Sequence, residues 1–395
     1  METTRGAARP RLVTPGFATV ILAGLAYFFT VGVLVPAVPR YVAGPLAGGD
    51  AAVGISFGAF TLSALLLRPW AGRLADRYGR RPMMIGGAAV AAVSLLGYAF
   101  AGSVPTLVAL RLLTGVGEAC FWVGFVAAAA DLAPPERRGE AMSYSSLSLY
   151  VGLALGPPAG EWLVDAFGYT TTWLVGAGVL IAGVALALSA PETNPSAAEQ
   201  QGRPPLIHRG ALVPAGLLLA VVWGMAGLFA FAALYARELG MSDAGWLLFG
   251  FAGVVVLIRL FGARLPDRLG PSRATIAALS LATAGLATIG LWRTAAGLAV
   301  GAVVLAVGVA LATPAIFALA MAGTRGSERG AVSGTLGISL DLGLGLGPIS
   351  LGAVAALADR GTAFLVAAAV AATGLALALG SARHRATRPA AVPPR

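Results

Sequence analysis

The sequence predicts an all-α integral membrane protein with twelve transmembrane helices arranged as two six-helix repeats. Three observations predict it. Hydrophobic residues fill 58% of 395 positions and charged residues only 11%, where a soluble domain carries about 25% charge. Apolar runs long enough to cross a bilayer, which takes about 20 residues, recur along the whole chain. A shift of 191 residues lays landmarks of the first half onto the second.

The spans are expected at 15–36, 51–72, 83–103, 105–130, 140–166 and 171–190, then at 211–236, 244–264, 273–292, 295–321, 330–357 and 361–381. In hydrocarbon every backbone group must bond within its own segment, so these runs are helices. The short alternating segments of a membrane barrel are absent from the sequence. Residues 191–210, PETNPSAAEQQGRPPLIHRG, are polar and Pro-rich and read as a linker. The expected plan is a six-helix bundle over 1–190, a cytosolic linker over 191–210, a second bundle over 211–381 and a tail over 382–395.

All 27 basic residues are arginine, and their placement sets the orientation. Twenty fall on alternate connections: Arg5, Arg9, Arg11, Arg73, Arg77, Arg80, Arg81, Arg137, Arg138, Arg203, Arg209, Arg264, Arg268, Arg273, Arg325, Arg329, Arg383, Arg385, Arg388 and Arg395. Arg40, Arg237, Arg293 and Arg360 fall on the opposite side, and Arg68, Arg111 and Arg259 lie within helices. Positive charge concentrates on the cytosolic side, so both termini are expected there, in an inner membrane. The same placement argues against nucleic acid as the partner of a chain with net charge +10. Trp162, Trp173, Trp246 and Trp292 sit near the opposite helix ends, as an aromatic belt would. The first span exceeds a secretory signal core and eleven more follow, so it is expected to be retained. Cys120 is alone, and His208 and His384 lie in linker and tail. No metal site, cofactor or enzymatic centre is expected from them.

The repeat is read from coincident residues. Arg68 meets Arg259, Asp76-Arg77 meets Asp267-Arg268, and Gly79 meets Gly270. Arg138-Gly139 meets Arg329-Gly330, Ser148 meets Ser339, Gly152 meets Gly343, and Gly156-Pro157 meets Gly347-Pro348. Parallel repeats place a substrate site at their interface near the midplane.

Between spans two and three runs Gly72-Arg73-Leu74-Ala75-Asp76-Arg77-Tyr78-Gly79-Arg80-Arg81. Gly72 allows close helix approach, Gly79 allows positive φ, and Asp76 stands among arginines, placed to pair or to cap a helix. A positive-inside anchor explains the arginines but not the fixed Gly, Leu, Asp and Gly spacing. This segment resembles the G-x-L-a-D-r-x-G-r-r signature of the major facilitator superfamily. The resemblance implies a conformational latch between the halves at Gly72, Asp76, Arg77 and Gly79. In the second copy, around Asp267 and Arg268, Ala263 replaces the leading glycine and Pro266 is added.

Span four carries Arg111-Leu112-Leu113-Thr114-Gly115-Val116-Gly117-Glu118. Ionisable residues in a membrane are costly and point to function. Arg111, Gly115, Glu118, Trp122 and Phe125 share one helical face. The segment resembles the family's R-x-x-x-G signature, which implies a link to proton transfer; a structural Arg–Glu pair is the competing reading. Span five carries glycines four apart, Gly152, Gly156 and Gly160, with Pro157. Helix packing alone accounts for them. The string also resembles the G-x-x-x-G-P-x-x-G signature of export-type members, and Gly343, Gly347 and Pro348 repeat it. Gly32 to Pro39 resembles a signature of the twelve-span drug:proton antiporters.

Asp341 lies about 16 Å into span eleven at 1.5 Å per residue, near the midplane. It and its counterpart Tyr150 fall opposite the glycine face and are expected in the central cavity; a bond to Ser339 or backbone is the alternative for Asp341. Arg68 and Arg259 are expected to reach back to the headgroups. Among the aromatic residues, Tyr27, Trp122, Tyr150, Trp223 and Phe317 are the expected cavity lining. The first span has no acidic residue, so proton coupling falls to Glu118, Asp341 and Arg111. The expected function is export of amphipathic small molecules, a drug or secondary metabolite, by proton antiport. The partners are then a small-molecule substrate, protons and lipid, around a monomer. An exporter of sugars or small polar metabolites is the alternative; few Asn and Gln residues argue against it.

Overall fold

Residues 12–134, 137–193, 207–241, 244–261, 268–322, 324 and 328–386 are described by a computed structural model. Helix α1 (Pro15–Ala43) begins where the Thr14 hydroxyl accepts from the Phe17 N–H at 3.2 Å, an N-cap that satisfies one orphan donor. Helix α2 (Asp50–Tyr78) contains Pro69 and stops at Gly79, whose φ of 100° lies in the left-handed region that glycine adopts without steric cost. Helix α3 (Arg80–Tyr98) follows directly, and α4 (Val104–Asp131) is capped by Ser103. The helical stretch Arg138–Ser189 is broken at Gly168, with φ 78° and ψ 176°. It forms two crossings, α5 over 138–167 and α6 over 169–189. The second half comprises α7 (Leu212–Glu238), α8 (Gly245–Phe261), α9 (Pro271–Leu291), α10 (Ala295–Met321), α11 (Arg329–Leu357) and α12 (Arg360–Ala386).

Ten helical stretches among the described residues are long and apolar enough to cross a bilayer, and one of them, Glu140–Ser189, runs for 50 residues. The Gly168 break divides that stretch in two, and the shorter apolar helix Gly245–Phe261 completes twelve. Leu66, Val93, Ile181, Leu257 and Leu377 stand exposed on the outer surface, an apolar coat that only lipid would cover favourably.

The 191-residue repeat reappears in the packing. Helix α1 packs on α5 as α7 packs on α11, and α3 packs on α4 as α9 packs on α10. The halves meet through two equivalent pairs, α2 with α11 and α5 with α8. Trp162, Trp246 and Trp292 are exposed as expected of a belt. Trp173 is not: it is fully buried, stacked edge-on against Tyr41 and Tyr98. A core position lies one helix face away from a lipid position, which the linear sequence did not distinguish.

Candidate functional site

The centre of the molecule holds a buried ion cluster. From α2, Arg68 donates through Nη2 to Glu118 of α4, at 3.1 Å to Oε1 and 3.4 Å to Oε2. Its Nη1 donates to Oδ2 of Asp341 on α11. Glu118 is 8% and Asp341 4% exposed. The guanidinium also lies 5.6 Å from the Trp122 ring centroid. Two carboxylates, one from each half, thus share one arginine. Pro69, next in sequence, removes the backbone donor that would bond Leu65, loosening α2 where Arg68 leaves it.

Arg68 therefore does not reach back to the headgroups. A guanidinium with two carboxylates in reach gains more from forked, charge-assisted bonds than from a distant interface. Asp341 takes Arg68 rather than Ser339, whose hydroxyl donates to the Leu336 carbonyl at 2.7 Å. Arg111 is also buried, but it grips backbone instead of a carboxylate. Its Nε donates to Ser56 O at 2.9 Å and its Nη2 to Phe57 O at 3.2 Å, with the Phe60 ring 4.8 Å away. No Arg111–Glu118 pair forms; Arg111 fastens α4 to α2 and shares Glu118's helix without touching it.

The glycine strings sit where helices touch. A Cβ on Gly152 would lie 2.6 Å from Phe28 C, and one on Gly156 2.6 Å from Phe29 O, both on α1; Gly160 abuts Val33. Gly343 and Gly347 meet Val222 and Trp223 of α7 in the equivalent way. Pro157 and Pro348 lie inside α5 and α11.

Around the α2–α3 turn every ion pair among the described residues stays within the first half. Asp76 pairs with Arg80 at 2.7 Å, and Arg80 reaches Asp131 at 3.5 Å. The Arg80 backbone N–H donates to Glu192 Oε1 at 2.8 Å, and that carboxylate covers Gly79. Arg77 lies over Tyr78. Gly72 has open space where a helix was expected to approach, because no element packs there. Asp267 lies outside the described residues; Arg268 precedes Gly270, which has φ 79° like Gly79.

On the opposite face the halves are pinned together. Arg360 donates to Asp50 at 2.9 and 3.0 Å, and Arg237 reaches Asp165 at 3.3 Å and Glu161 at 3.7 Å. Arg40 also holds Glu161. Gly54 and Gly58 of α2 lie against Pro348, Gly345 and Ile349 of α11.

A cavity of about 540 Å³ lies between α5, α8 and α10, near their ends on the α2–α3 face. Tyr144, Leu147, Tyr150, Val256, Arg259, Leu311 and Pro314 line it. Arg259 turns inward rather than along its helix: its guanidinium lies over the Tyr150 ring at 4.2 Å. Of the five expected lining residues only Tyr150 lines this cavity. Tyr27 is core, stacked on Phe121 with centroids 4.1 Å apart. Trp122, Trp223 and Phe317 are half-buried and packed against the core. The sequence reading missed Arg68 as the common partner of both carboxylates. The repeat relates Arg68 and Asp341 to Arg259 and Tyr150, and both pairs turn out to be in contact, but neither contact is visible in the sequence.

Comparison with known proteins agrees with this architecture. The family model described as Major Facilitator Superfamily matches residues 20–271 and 212–394. An uncharacterised MFS-type transporter of Pseudomonas aeruginosa is 31% identical over 391 residues, covering 95% of each chain. One of Salmonella typhimurium is 30% identical over 364 residues, covering 89% of this chain and 92% of its own. Multidrug resistance protein 1 of Bacillus subtilis is 29% identical over 178 residues, 45% of this chain and 46% of its own. Among solved structures, a bacterial homologue of the human lysosomal transporter Spinster, inward-facing and unoccupied, superposes with a TM-score of 0.79 at 16% identity. That match covers 98% of this chain and 100% of the other. The chain therefore belongs to the Major Facilitator Superfamily, as a multi-pass membrane transporter and not an enzyme.

Proposed function

We propose that this transporter exports amphipathic small molecules from the cytosol by proton antiport across a bacterial cytoplasmic membrane. The observation that carries the coupling is Arg68 held between Glu118 and Asp341. The cluster sums to a charge of −1, which one proton neutralises. Its Arg68–Asp341 arm joins the two halves, so it must break when they part. Removing one partner of a buried pair leaves an uncompensated charge; a proton on Asp341 removes that obstacle, and the halves can then separate.

Direction is supported by three features. The arginine distribution puts both termini and the α2–α3 turn in the cytosol. The cavity then opens toward the cytosol, where an exporter loads, while Arg360–Asp50 and Arg237–Asp165 close the outer face. The glycine string of α5 resembles that of export-type members, and the partial likeness to a multidrug resistance protein points the same way. Among the described residues the Asp76 turn makes its ion pairs within the first half. We assign it to latching the outward-facing state, in a transporter that works as a monomer. Most of the cavity lining is apolar, which favours an amphipathic substrate over a sugar.

The test is substrate-driven proton movement in proteoliposomes, with lipophilic dyes and sugars as the two arms of a panel. The wild type is expected to move protons on addition of dyes and not of sugars. Proton movement surviving in the Glu118→Gln, Asp341→Asn double variant would remove the cluster as the coupling site.

A further inference from the structure

The two halves carry the same arginine with different companions. In the first, Arg68 faces Glu118 and Asp341. Adding 191 to 68 and 118 gives Arg259 and Val309, and subtracting it from 341 gives Tyr150. The second half thus repeats the cation and replaces both acids with an aromatic ring and an aliphatic side chain. The cluster around Arg68 sums to −1; the site around Arg259 sums to +1.

Among the described residues this charge is left unanswered. Arg259 takes part in no ion pair or hydrogen bond among the described residues, its Nε is buried without a partner, and its contact is the Tyr150 ring at 4.2 Å. The other charged residue at the cavity wall, Glu140, is paired through both oxygens with Arg137 at 2.8 and 2.9 Å. A guanidinium over an aromatic face keeps its outward edge for two oxygens of an oxyanion, and the apolar wall of Leu147, Val256 and Leu311 takes the rest of the molecule.

We infer that Arg259, laid over Tyr150 at the wall of the α5–α8–α10 cavity with no counter-ion among the described residues, recognises an anionic group on an amphipathic molecule. The group is a carboxylate, sulfonate or phosphate, and it occupies the place that Asp341 takes on Arg68. This inference rests on the transporter reading and names the charge class of its substrate. A free small molecule and the headgroup of an anionic lipid share this chemistry.

The probes are 1-naphthylacetate, its primary amide and 1-naphthylethylamine, which keep the apolar body and change only the charge. Binding is measured by calorimetry on the full chain in phosphatidylcholine nanodiscs. The acid is expected to bind about ten to one hundred times more tightly than the amide, the range of a charge-assisted hydrogen bond. Arg259→Gln is expected to erase that preference and Arg259→Lys to retain part of it. Tyr150→Asp, which restores an acid to Arg259, is expected to erase it too. Adding phosphatidylglycerol identifies the source: competition with the acid assigns the site to a lipid headgroup as well, and no competition assigns it to the free molecule.

Equal binding of acid and amide overturns the inference, as does no detectable binding of the acid at millimolar concentration. A preference that survives both Arg259→Gln and Tyr150→Asp overturns it equally. If wild-type vesicles transport the probes without regard to charge, the anion site fails and the transporter reading stands. If the acid binds selectively but no probe is transported, the reading of this cavity as the export site fails and the anion site stands.

Discussion

Arg68 is the residue on which the centre depends. Its replacement by Gln leaves Glu118 and Asp341 buried without a counter-ion, a loss of about 3–5 kcal/mol for breaking a buried pair. The expected result is a marked drop in thermal stability in detergent. Arg68→Gln combined with Asp341→Asn and Glu118→Gln should recover much of it, because the stranded charges are then gone. Arg68→Lys should fall between, since an ammonium lacks the fork that reaches two carboxylates at once. Equal stability of the single and triple variants would show that the cluster does not work as a charge-balanced unit. The acids themselves are expected to separate coupling from movement: Glu118→Gln and Asp341→Asn should lose substrate-driven proton flux while downhill substrate exchange continues, because an amide resembles the protonated acid.

At the scale of the element, glycines decide how close the helices come. Gly156→Val would drive two methyl groups into Gly32 of α1, where even a Cβ would lie 2.5 Å from the Gly32 Cα. Overpacking typically costs about 1–3 kcal/mol, so the folded yield on size-exclusion chromatography should fall. Gly216→Ala is the matched control, since a Cβ there meets open space. Helix α12 offers a pH-dependent test. Asp359 caps it, accepting from the Thr362 N–H at 2.7 Å, and that bond holds its carboxyl below the ordinary carboxylate range, with the Thr362 hydroxyl and Arg293 acting in the same sense. A depressed value means that the cap stabilises above the ordinary carboxylate value and is lost as pH falls through the depressed one. Asp359→Ala should therefore cost about 0.5–2 kcal/mol at neutral pH. In acid the difference from wild type should vanish; a constant difference down to strong acid would rule out the charged cap.

For the whole molecule the balance between two conformations is the measurable quantity. Arg237, through Asp165, and Arg360, through Asp50, tie the halves together on the face opposite the α2–α3 turn. Arg237–Asp165 is exposed and Arg360–Asp50 half-buried; counting both as exposed pairs, at about 0.2–1 kcal/mol each, gives a lower bound. Arg237→Ala with Arg360→Ala is therefore expected to shift the equilibrium about two- to thirtyfold toward opening on that face. Distances between spin labels on the outer ends of α2 and α11 should show a longer population appear; an unchanged distribution would mean that the glycine contacts alone hold the face shut. Orientation is tested separately. Reporter fusions at Arg395 and after Gly202 should both report cytosol, and an outside signal from either would overturn the twelve-span count.

How much of this was legible in the sequence follows from the range of each interaction. Hydrophobicity over 20 residues is a local property, so the spans and the break between α5 and α6 could be read directly, while the family was legible through the resemblance of short motifs such as Gly72–Arg81. The repeat could be read too, because duplication leaves its mark at fixed separation. Burial of Glu118, Asp341 and Arg111 followed from their place within apolar runs. Which partner each would take did not, because Arg68 and Asp341 are 273 residues apart and meet only when α2 lies beside α11. The sequence alone made Arg68 and Arg259 equivalent, two arginines near the inner ends of their helices. The tertiary structure made them different, giving one two carboxylates and the other a tyrosine ring and a cavity, because a buried charge is defined by what packs against it.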